Sequence, residues 1–219
     1  TRKESSAASD VYKRQLFYLS IVIATLCAIP THSFAQANAK QARAIMDKTA
    51  KVISKPGGIS ASFTMAHPTN GKISGTIAVK GNKFHAKTSA ATVWFNGKTQ
   101  WTYMKKNDEV NVSNPTLAQQ QMMNPYTFVN IYKKGYTLSA KSEGANNVVH
   151  LVAQTKKQSI QEMYVTVNKK TSVPSKIKMK HSNKWYTITI GSLSSRKQPD
   201  SLFSFNSKDY PSAEVIDLR

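Results

Sequence analysis

The sequence contains a single cysteine among 219 residues, and that cysteine lies in a segment that we expect to be removed. Cys27 stands inside the apolar run Leu16–Ile29, close to the N-terminal end of the chain. Bulky Leu26 immediately before it argues against lipid attachment at this cysteine. The mature chain should therefore have no disulfide, no thiolate nucleophile and no cysteine-bound metal.

Acidic residues are scarce as well, since 11 Asp and Glu stand against 31 Lys and Arg, a formal charge of +20. Asp108 and Glu109 are sequence neighbours, so on a strand they should point to opposite faces rather than work as an acid and base pair. The histidines beyond the N-terminal segment, each isolated from the others, are His67, His85, His150 and His181. The chain also lacks a G-x-S-x-G elbow, a P-loop and a G-x-G-x-x-G turn. These absences predict a protein that is not an enzyme, with no metal and no cofactor.

The N-terminal segment has the pattern of a secretory signal peptide. Lys13 and Arg14 precede the apolar run, and Ser33-Phe34-Ala35 supplies small residues at the minus-three and minus-one positions. The run is shorter than the roughly 20 residues that a membrane-spanning helix needs. We expect export to the periplasm with cleavage after Ala35, so that residues 1–35 are an upstream leader plus signal peptide and residues 36–219 form one domain.

The excess of positive charge is compatible with a polyanion, a membrane surface or colloidal stability. Lysines next to aromatic residues, as in Lys83-Phe84, could describe a groove for single-stranded nucleic acid, but export argues against a nucleic-acid partner. Five lysines alternate with apolar residues and so indicate a solvated face: Lys72, Lys80, Lys176, Lys178 and Lys180. Attraction of that face to anionic lipid headgroups stays open.

Periodicity predicts one helix followed by a long series of strands. Apolar residues recur at helical spacing over Ala37–Lys55, and Pro56-Gly57-Gly58 ends that pattern. From Ile59 onward the period is two, which predicts about eleven antiparallel strands, six before residue 114 and five after residue 135. Between them, Asn114-Pro115 and Asn124-Pro125 each suit the start of a short apolar helix.

The most informative stretch is Thr92–Tyr103, where Asn96-Gly97 separates two aromatic and Thr-rich runs. Asn-Gly favours a two-residue hairpin turn, which would pair Trp94 with Thr99 and Thr92 with Trp101. Trp94, Trp101 and Tyr103 would then share one face of the hairpin, either as the floor of a packed core or as the wall of an apolar cavity.

The order of these elements resembles that of the outer-membrane lipoprotein carrier family, the LolA-like proteins. The local matches are Ile77–Phe84, the N-G-K-T-x-W-x-Y pattern within Val93–Tyr103, and Asn124-Pro125 with the apolar residues behind it. The resemblance implies a mainly β fold: an unclosed half-barrel of about eleven antiparallel strands, with an N-terminal helix and short lid helices on the concave side. It also implies that the protein shields the acyl chains of lipoproteins, as a chaperone does, and carries them from the inner to the outer membrane.

On this resemblance the lipid-binding cavity would be lined by inward apolar side chains of the sheet and the lid. The predicted lining residues are Phe63, Met65, Ile77, Val79, Phe84, Trp94, Trp101, Tyr103, Leu117, Met122, Met123, Phe128, Met163, Met179 and Ile188. The best-known branch of the family has an arginine just after the Val-Lys of this strand, where Gly81 follows Lys80 here. Lys80, Asn124 and Pro125 are therefore predicted to hold or gate the lid.

The implied partners are acylated lipoproteins, an inner-membrane lipoprotein-releasing ABC transporter and an outer-membrane acceptor, with the carrier itself a monomer. Three alternatives remain on the residues alone. The apolar side chains could fill one ordinary core, the protein could be a lipid or peptide sensor or scaffold on the same fold, or it could be an enzyme acting on lipid or glycan.

Overall fold

The computed structural model describes residues 31–67, 69, 71–116, 119, 120 and 130–219. Of the predicted leader and signal peptide, residues 1–35, the structure describes only residues 31–35, and Cys27 lies outside them. The chain divides into two units, Thr1–Ala37 and Asn38–Arg219. Within the first unit, the described residues are the beginning of a helix, and the features below belong to the second. In the described part of the chain, no helix is long and apolar enough to cross a bilayer.

Helix α1 runs from Thr31 to Ile53, so it begins six residues before the predicted start. No glycine or proline lies between Thr31 and Ala37 to interrupt the helix. Ala42, Met46 and Thr49 are fully buried on one side of α1, which confirms an amphipathic helix. The helix ends before Pro56, and Gly58 adopts a φ of +87°, a conformation that suits glycine.

Twelve strands are described, where about eleven were predicted. They are β1 Ile59–His67, β2 Gly71–Lys80, β3 Lys83–Thr88, β4 Ala91–Phe95, β5 Gln100–Met104, β6 Glu109–Ser113, β7 Tyr136–Glu143, β8 Asn146–Ala153, β9 Ile160–Asn168, β10 Pro174–His181, β11 Lys184–Ser194 and β12 Glu214–Asp217. Short 3-10 turns cover Ile131–Lys133, Asp200–Phe203 and Ser207–Asp209. The additional strand, β12, has four residues and follows the last alternating run.

All twelve strands form one unclosed sheet in the order β12-β6-β5-β4-β3-β2-β1-β11-β10-β9-β8-β7. This arrangement confirms the open half-barrel. Strand β12 pairs in parallel with β6, which corrects the expectation that every strand pair is antiparallel. At the opposite edge, the side chain of Asn38 on α1 donates to the carbonyl of Ala140 at 3.1 Å and accepts from its N–H at 2.7 Å. Strand β12 therefore forms one edge of the sheet, and α1 contacts the strand at the other edge, β7.

The sheet has an inner face, against which α1 packs, and an outer face. On the inner face, one core lies between α1 and strands β7 to β10, and its members include Ala42, Met46, Leu151 and Met163. A second core lies between the end of α1 and strands β1 to β4. It comprises Ile53, Ile59, Val79, Phe84 and Phe95. The two cores divide the inner face into two halves.

The β4–β5 hairpin has a four-residue loop rather than the predicted two-residue turn. Trp94 lies opposite Trp101 and Thr92 opposite Tyr103, so the predicted pairing of Trp94 with Thr99 is wrong. The side-chain oxygen of Asn96 accepts from the N–H groups of Lys98 at 3.0 Å and Thr99 at 2.9 Å. These hydrogen bonds form an Asx turn at Asn96, and the loop is two residues longer than the predicted turn.

The segment predicted to form the lid is described only at its ends. Thr116 and Gln119 exchange side-chain and backbone hydrogen bonds in the pattern of a helix-start capping box. The start signal is therefore Thr116 with Gln119, one residue after the predicted Pro115. Leu117, Met122, Met123, Asn124, Pro125 and Phe128 lie outside the described residues, so their predicted roles stay predictions.

Candidate functional site

An apolar cavity of about 270 Å³ lies on the inner face, in the half formed by the first strands. Its walls come from the end of α1 and from strands β1 to β4, β10 and β11. The lining residues are Ile53, Ile59, Ala61, Ser62, Phe63, Met65, Ile77, Val79, Phe84, Ala86, Val93, Pro174, Ile177, Ile188, Ile190 and Leu193. No charged side chain is among them, and Ser62 is the single polar one. The cavity therefore suits hydrocarbon and offers almost nothing to a hydrophilic ligand.

Strand pairing brings these residues together. Met65 lies opposite Ile188, and Ile188 lies opposite Ile177, so a row of side chains crosses β1, β11 and β10 on one face. On the other side of β1, Ala61 pairs with Ile77. Because side chains alternate between faces along each strand, every second residue of these strands projects into the same space.

The absence of a side chain at Gly75 makes room for the ring of Phe63, the largest side chain of the β1 wall. The two residues are directly paired between β1 and β2. A Cβ at Gly75 would lie 3.1 Å from the Phe63 ring and 2.2 Å from the backbone oxygen of Lys87. The ring can therefore lie close to the β2 backbone, which leaves space above it.

Beside the cavity the register between β1 and β11 shifts between Ala61 and Phe63, because β11 has one extra residue there. At this point Ser62 reaches the cavity wall, and Gly191 lies so close that a Cβ there would be 2.2 Å from the Ser62 hydroxyl oxygen. Bulges of this kind increase local strand bending. The bulge therefore curves the sheet beside the cavity.

Six of the predicted lining residues surround this cavity: Phe63, Met65, Ile77, Val79, Phe84 and Ile188. The prediction missed the remaining lining residues. Ala61, Ala86 and Ile190 stand two positions from predicted residues that line the cavity, so strict alternation could have found them, and Ile177 is the strand partner of Ile188. Ile53 and Pro174 had no such signal, because their places depend on where α1 ends and where β10 begins.

Met163 and Met179 were predicted to line the cavity, but the structure places them elsewhere. They pair with each other on the inner face and are 0% and 1% exposed within the packed core of the other half. Ala42 and Met46 of α1 belong to the same core. The space around these methionines is consequently filled by the protein's own side chains.

Trp94, Trp101 and Tyr103 do share one face, as predicted, but it is the outer face. Phe95 and Val93 take the inner positions of β4 because they pair with Phe84 and Ala86. The cavity therefore lies on the side of Val93 and Phe95, and the predicted place of Trp94 in its lining is on the opposite face of β4.

The C-terminal segment covers that aromatic group on the outer face. Phe205 and Tyr210 each have a ring centre 5.5 Å from that of Trp94, and Tyr210 lies 4.6 Å from Tyr103. The hydroxyl of Tyr103 donates to Asp108 at 2.9 Å, which raises the pKa of the phenol. Trp94 is left 7% exposed. These side chains therefore build an ordinary packed cluster and not a binding wall.

The sequence matches the family described as "Outer membrane lipoprotein carrier protein LolA" over residues 31–183. The chain belongs to this family. At the family level it is thus a lipid- or lipoprotein-binding protein of a group that is exported to the periplasm, and whose members are carriers or binding proteins rather than enzymes. No curated protein matches the sequence.

Solved structures are similar to this chain at low sequence identity, and the first has a TM-score that indicates the same fold. An uncharacterized conserved protein from Thermus thermophilus has a TM-score of 0.55 at 11% identity, covering 81% of this chain and 99% of its own. The LolA superfamily protein NE2245 from Nitrosomonas europaea has a TM-score of 0.43 at 13% identity, over 75% and 97% of the two chains. LprF from Mycobacterium bovis has a TM-score of 0.41 at 9% identity, over 74% and 95%.

Lys80 is one of the residues predicted to hold or gate the lid. Here the Lys80 ammonium donates to the carbonyl of Gln198 at 3.1 Å and to Asp200 at 3.3 Å, while Lys83 donates to Asp200 at 2.9 Å. These two lysines, Lys83 first, lower the pKa of the Asp200 carboxyl. The described partners of Lys80 thus belong to the C-terminal segment, and its predicted lid contact stays a prediction.

The same segment holds the cavity wall at the end of α1. The N–H of Gln198 donates to the carbonyl of Gly57 at 2.8 Å, just after the helix that carries Ile53. A Cβ at Gly58 would lie 2.8 Å from the carbonyl oxygen of Val79, so loop and strand are in close contact. These backbone contacts fix the helix end beside β2.

No titratable side chain is among the described residues that line the cavity. His85 is on the outer face beside Trp94, and burial lowers the pKa of its ring. The His181 ring nitrogen lies 2.7 Å from the carbonyl oxygen of Ser159, within hydrogen-bond distance. Over the described ranges, no three His, Cys, Asp or Glu side chains come together in a way that could hold a metal ion.

Proposed function

We propose that this LolA-like protein is a periplasmic carrier that shields the acyl chains of lipoproteins and takes them from the inner to the outer membrane. The observation that carries the proposal is the cavity of about 270 Å³ with apolar walls and no charged lining residue. The mature carrier would be residues 36–219, with no catalytic residue and no cofactor. An inner-membrane lipoprotein-releasing ABC transporter would load it, and an outer-membrane acceptor would unload it.

An acylated lipoprotein needs a protein that shields its acyl chains from water. Each CH₂ of an acyl chain costs about 0.8 kcal/mol in water, so an acylated lipoprotein does not cross an aqueous compartment unshielded. The cavity volume is close to the lower end of ligand pockets, roughly 300 to 1,000 Å³. It therefore suits part of one acyl chain in the state described by the structure.

Release is as important as uptake for a carrier. The walls offer no ion pair that would hold the cargo in one orientation, and Met65 adds a flexible thioether that adapts to different chains. Binding by hydrophobic contact alone is non-directional, so an acyl chain can slide out along the same path. This chemistry favours transfer over permanent storage.

The direct test is to fill the cavity with a larger side chain. Ala86 faces the cavity from β3, and Ala86→Phe would place a ring in the space that an acyl chain would occupy. We expect the affinity for a fluorescent fatty-acyl probe to fall by more than about tenfold, which corresponds to roughly 1.4 kcal/mol. Ala145→Phe, at the exposed β7–β8 turn, makes the same chemical change and should leave binding unchanged. Circular dichroism melts of both variants would check that they fold.

Three results would contradict the proposal. Native mass spectrometry of protein purified from its own envelope could show no acylated species, with no probe uptake after delipidation. Alternatively, Ala86→Phe could bind the probe as well as the unmodified protein does. If lipoprotein binds but is never passed to an acceptor membrane, lipid binding stands and the carrier role fails.

A further inference from the structure

A second aromatic group lies on the outer face, on strands β8 to β11, and it differs from the covered group around Trp94. We call it the outer patch and define it as His150, Glu162, Tyr164, Lys178 and Trp185. Tyr164 stacks on His150 with ring centres 4.2 Å apart and an interplanar angle of 2°. Trp185 lies 6.0 Å from Tyr164, and the Lys178 ammonium lies 4.6 Å from the Trp185 ring centre. All these contacts are made among the four strands themselves.

Lysines surround the outer patch. Lys176, Lys178 and Lys180 project outward from β10 because Ile177 and Met179 between them are buried on the inner face. Beside them, a shallow depression of about 590 Å³ is formed by the β8–β9 loop, the end of β10 and the β10–β11 turn. It is lined by Lys156, Lys157, Gln158, Ser159, Gln161, Lys180, His181, Ser182 and Asn183.

Negative charge on this part of the face is already engaged. The Glu162 carboxylate accepts from the Tyr164 hydroxyl at 2.8 Å and lies 2.8 Å from the His150 ring nitrogen, contacts that lower its pKa. Glu143, at the far end of β7, is paired with Lys141 at 3.4 Å. The ammonium groups of the β10 row therefore face solvent with a net positive field.

We infer that the outer patch and its surrounding lysines form a docking surface for an anionic lipid bilayer. Tryptophan and tyrosine rings on a wet surface match the headgroup region, where one end of the ring is apolar and the other polar. Lysines near a bilayer gain electrostatic attraction from anionic lipids. One face of the sheet can present both kinds of side chain to a membrane at once. This docking is separate from the cavity, which lies on the inner face.

The test uses the full mature chain and lipid vesicles. We expect the protein to co-sediment with phosphatidylcholine vesicles that contain phosphatidylglycerol, to ignore vesicles of phosphatidylcholine alone, and to dissociate as sodium chloride is raised. Reversing three lysines of the patch in the combined variant Lys176→Glu, Lys178→Glu and Lys180→Glu should weaken vesicle binding by about a hundredfold or more. The matched control reverses three exposed lysines of α1: Lys40→Glu, Lys48→Glu and Lys51→Glu. It changes net charge by the same amount and should lose far less binding.

The fluorescence of Trp185 can report binding of the outer patch to vesicles. Its indole is half-exposed, whereas Trp94 is covered by Phe205 and Tyr210. Adding anionic vesicles should shift the tryptophan emission to shorter wavelength, and Trp185→Ala should abolish the shift. If the triple variant on β10 fails to fold, Lys178→Glu alone should still show a measurable loss of binding.

Several outcomes would overturn the inference. These are no binding to anionic vesicles, equal loss in the β10 and α1 triple variants, or a preference for single-stranded DNA or glycan with vesicles left unbound. Failure here is distinguishable from failure of the carrier role. Ala86→Phe should retain vesicle binding, and the β10 triple variant should retain uptake of the acyl probe.

Discussion

The two halves of the inner face have the same architecture but different filling. Between α1 and strands β7 to β10, side chains such as Leu151, Ile160 and Met163 are fully buried. Between the end of α1 and the first strands, Phe63, Met65 and Ile77 are partly exposed around an open cavity. Both halves present alternating apolar residues from antiparallel strands.

The difference comes from what lies opposite the sheet. In the filled half, α1 contributes Ala42 and Met46 and the 3-10 turn adds the ring of Tyr132, while Tyr136 of β7 adds a second ring from the sheet. In the open half, the end of α1 contributes Ile53, and Gly75 leaves room beside the Phe63 ring. A hydrocarbon site thus arises by incomplete filling of an ordinary core, without any residue type that marks it.

The largest expected effect is on the stability of the filled half. Met163→Ala removes a fully buried side chain where no space remains, so we expect the free energy of unfolding to fall by about 2 to 5 kcal/mol. Met104→Ala, at a methionine that is 36% exposed, should change stability little. Urea denaturation measures both. If Met163→Ala weakens acyl binding in the folded protein as strongly as Ala86→Phe does, the contrast between the halves is wrong.

Tyr136 tests the same half through a buried hydrogen bond. Its hydroxyl donates to the carbonyl of Ile160 at 2.8 Å, and burial raises the pKa of the phenol to about 12. Tyr136→Phe should cost about 1 to 2 kcal/mol. Because the unfolded phenol ionises first, its contribution is complete below about pH 10 and is lost as pH rises toward about 12. The difference in melting temperature between protein and variant, followed against pH, checks this, and a difference that grows with pH would contradict it.

An equivalent truncation in the open half should cost less. Met65→Ala removes a half-buried side chain beside existing space, so we expect a loss of about 1 kcal/mol and a shift of acyl-probe preference toward bulkier chains. Urea denaturation and competition among probes of different length measure the two effects. A loss as large as that of Met163→Ala would show that both halves are equally filled.

The smallest effect concerns the ion pairs that hold the C-terminal segment near the open half. Lys83 and Lys80 lower the pKa of exposed Asp200 from its usual 3.8, so this contribution is present above that value and is lost as pH falls through the lowered pKa. Asp200→Asn should lower the melting temperature slightly at neutral pH and not at the acid end. Asp209→Asn, in the same segment, is the control. An Asp200→Asn effect that persists at the lowest pH would rule out the ion pairs as its cause.

Alternation along the strands predicted most of the fold, because a period of two is a local property of the chain. It placed the eleven longer strands and the face shared by Trp94, Trp101 and Tyr103. Alternation does not show which face is the inner one. That choice follows from pairing between strands, where Phe84 meets Phe95 at a ring distance of 5.5 Å.

The cavity was partly predictable for a similar reason. Met65 and Met163 occupy equivalent inward positions on their strands, and nothing in their local sequence tells that one borders open space and the other is enclosed. The distinction depends on the path of α1, which brings Met46 to one half of the sheet and Ile53 to the other. The C-terminal aromatic residues Phe205 and Tyr210 had no periodic signal because they lie outside the regular strands.

The contacts at the two edges of the sheet affect how readily the protein aggregates at high concentration. An unclosed barrel exposes strand edges that can pair with another copy and propagate into fibres. Here one edge strand, β12, is only four residues long and bounded by Glu214 and Asp217, and at the other edge the Asn38 amide occupies the backbone groups of Ala140 in β7. The protein can therefore keep an apolar cavity open while edge-to-edge pairing between its own copies is disfavoured.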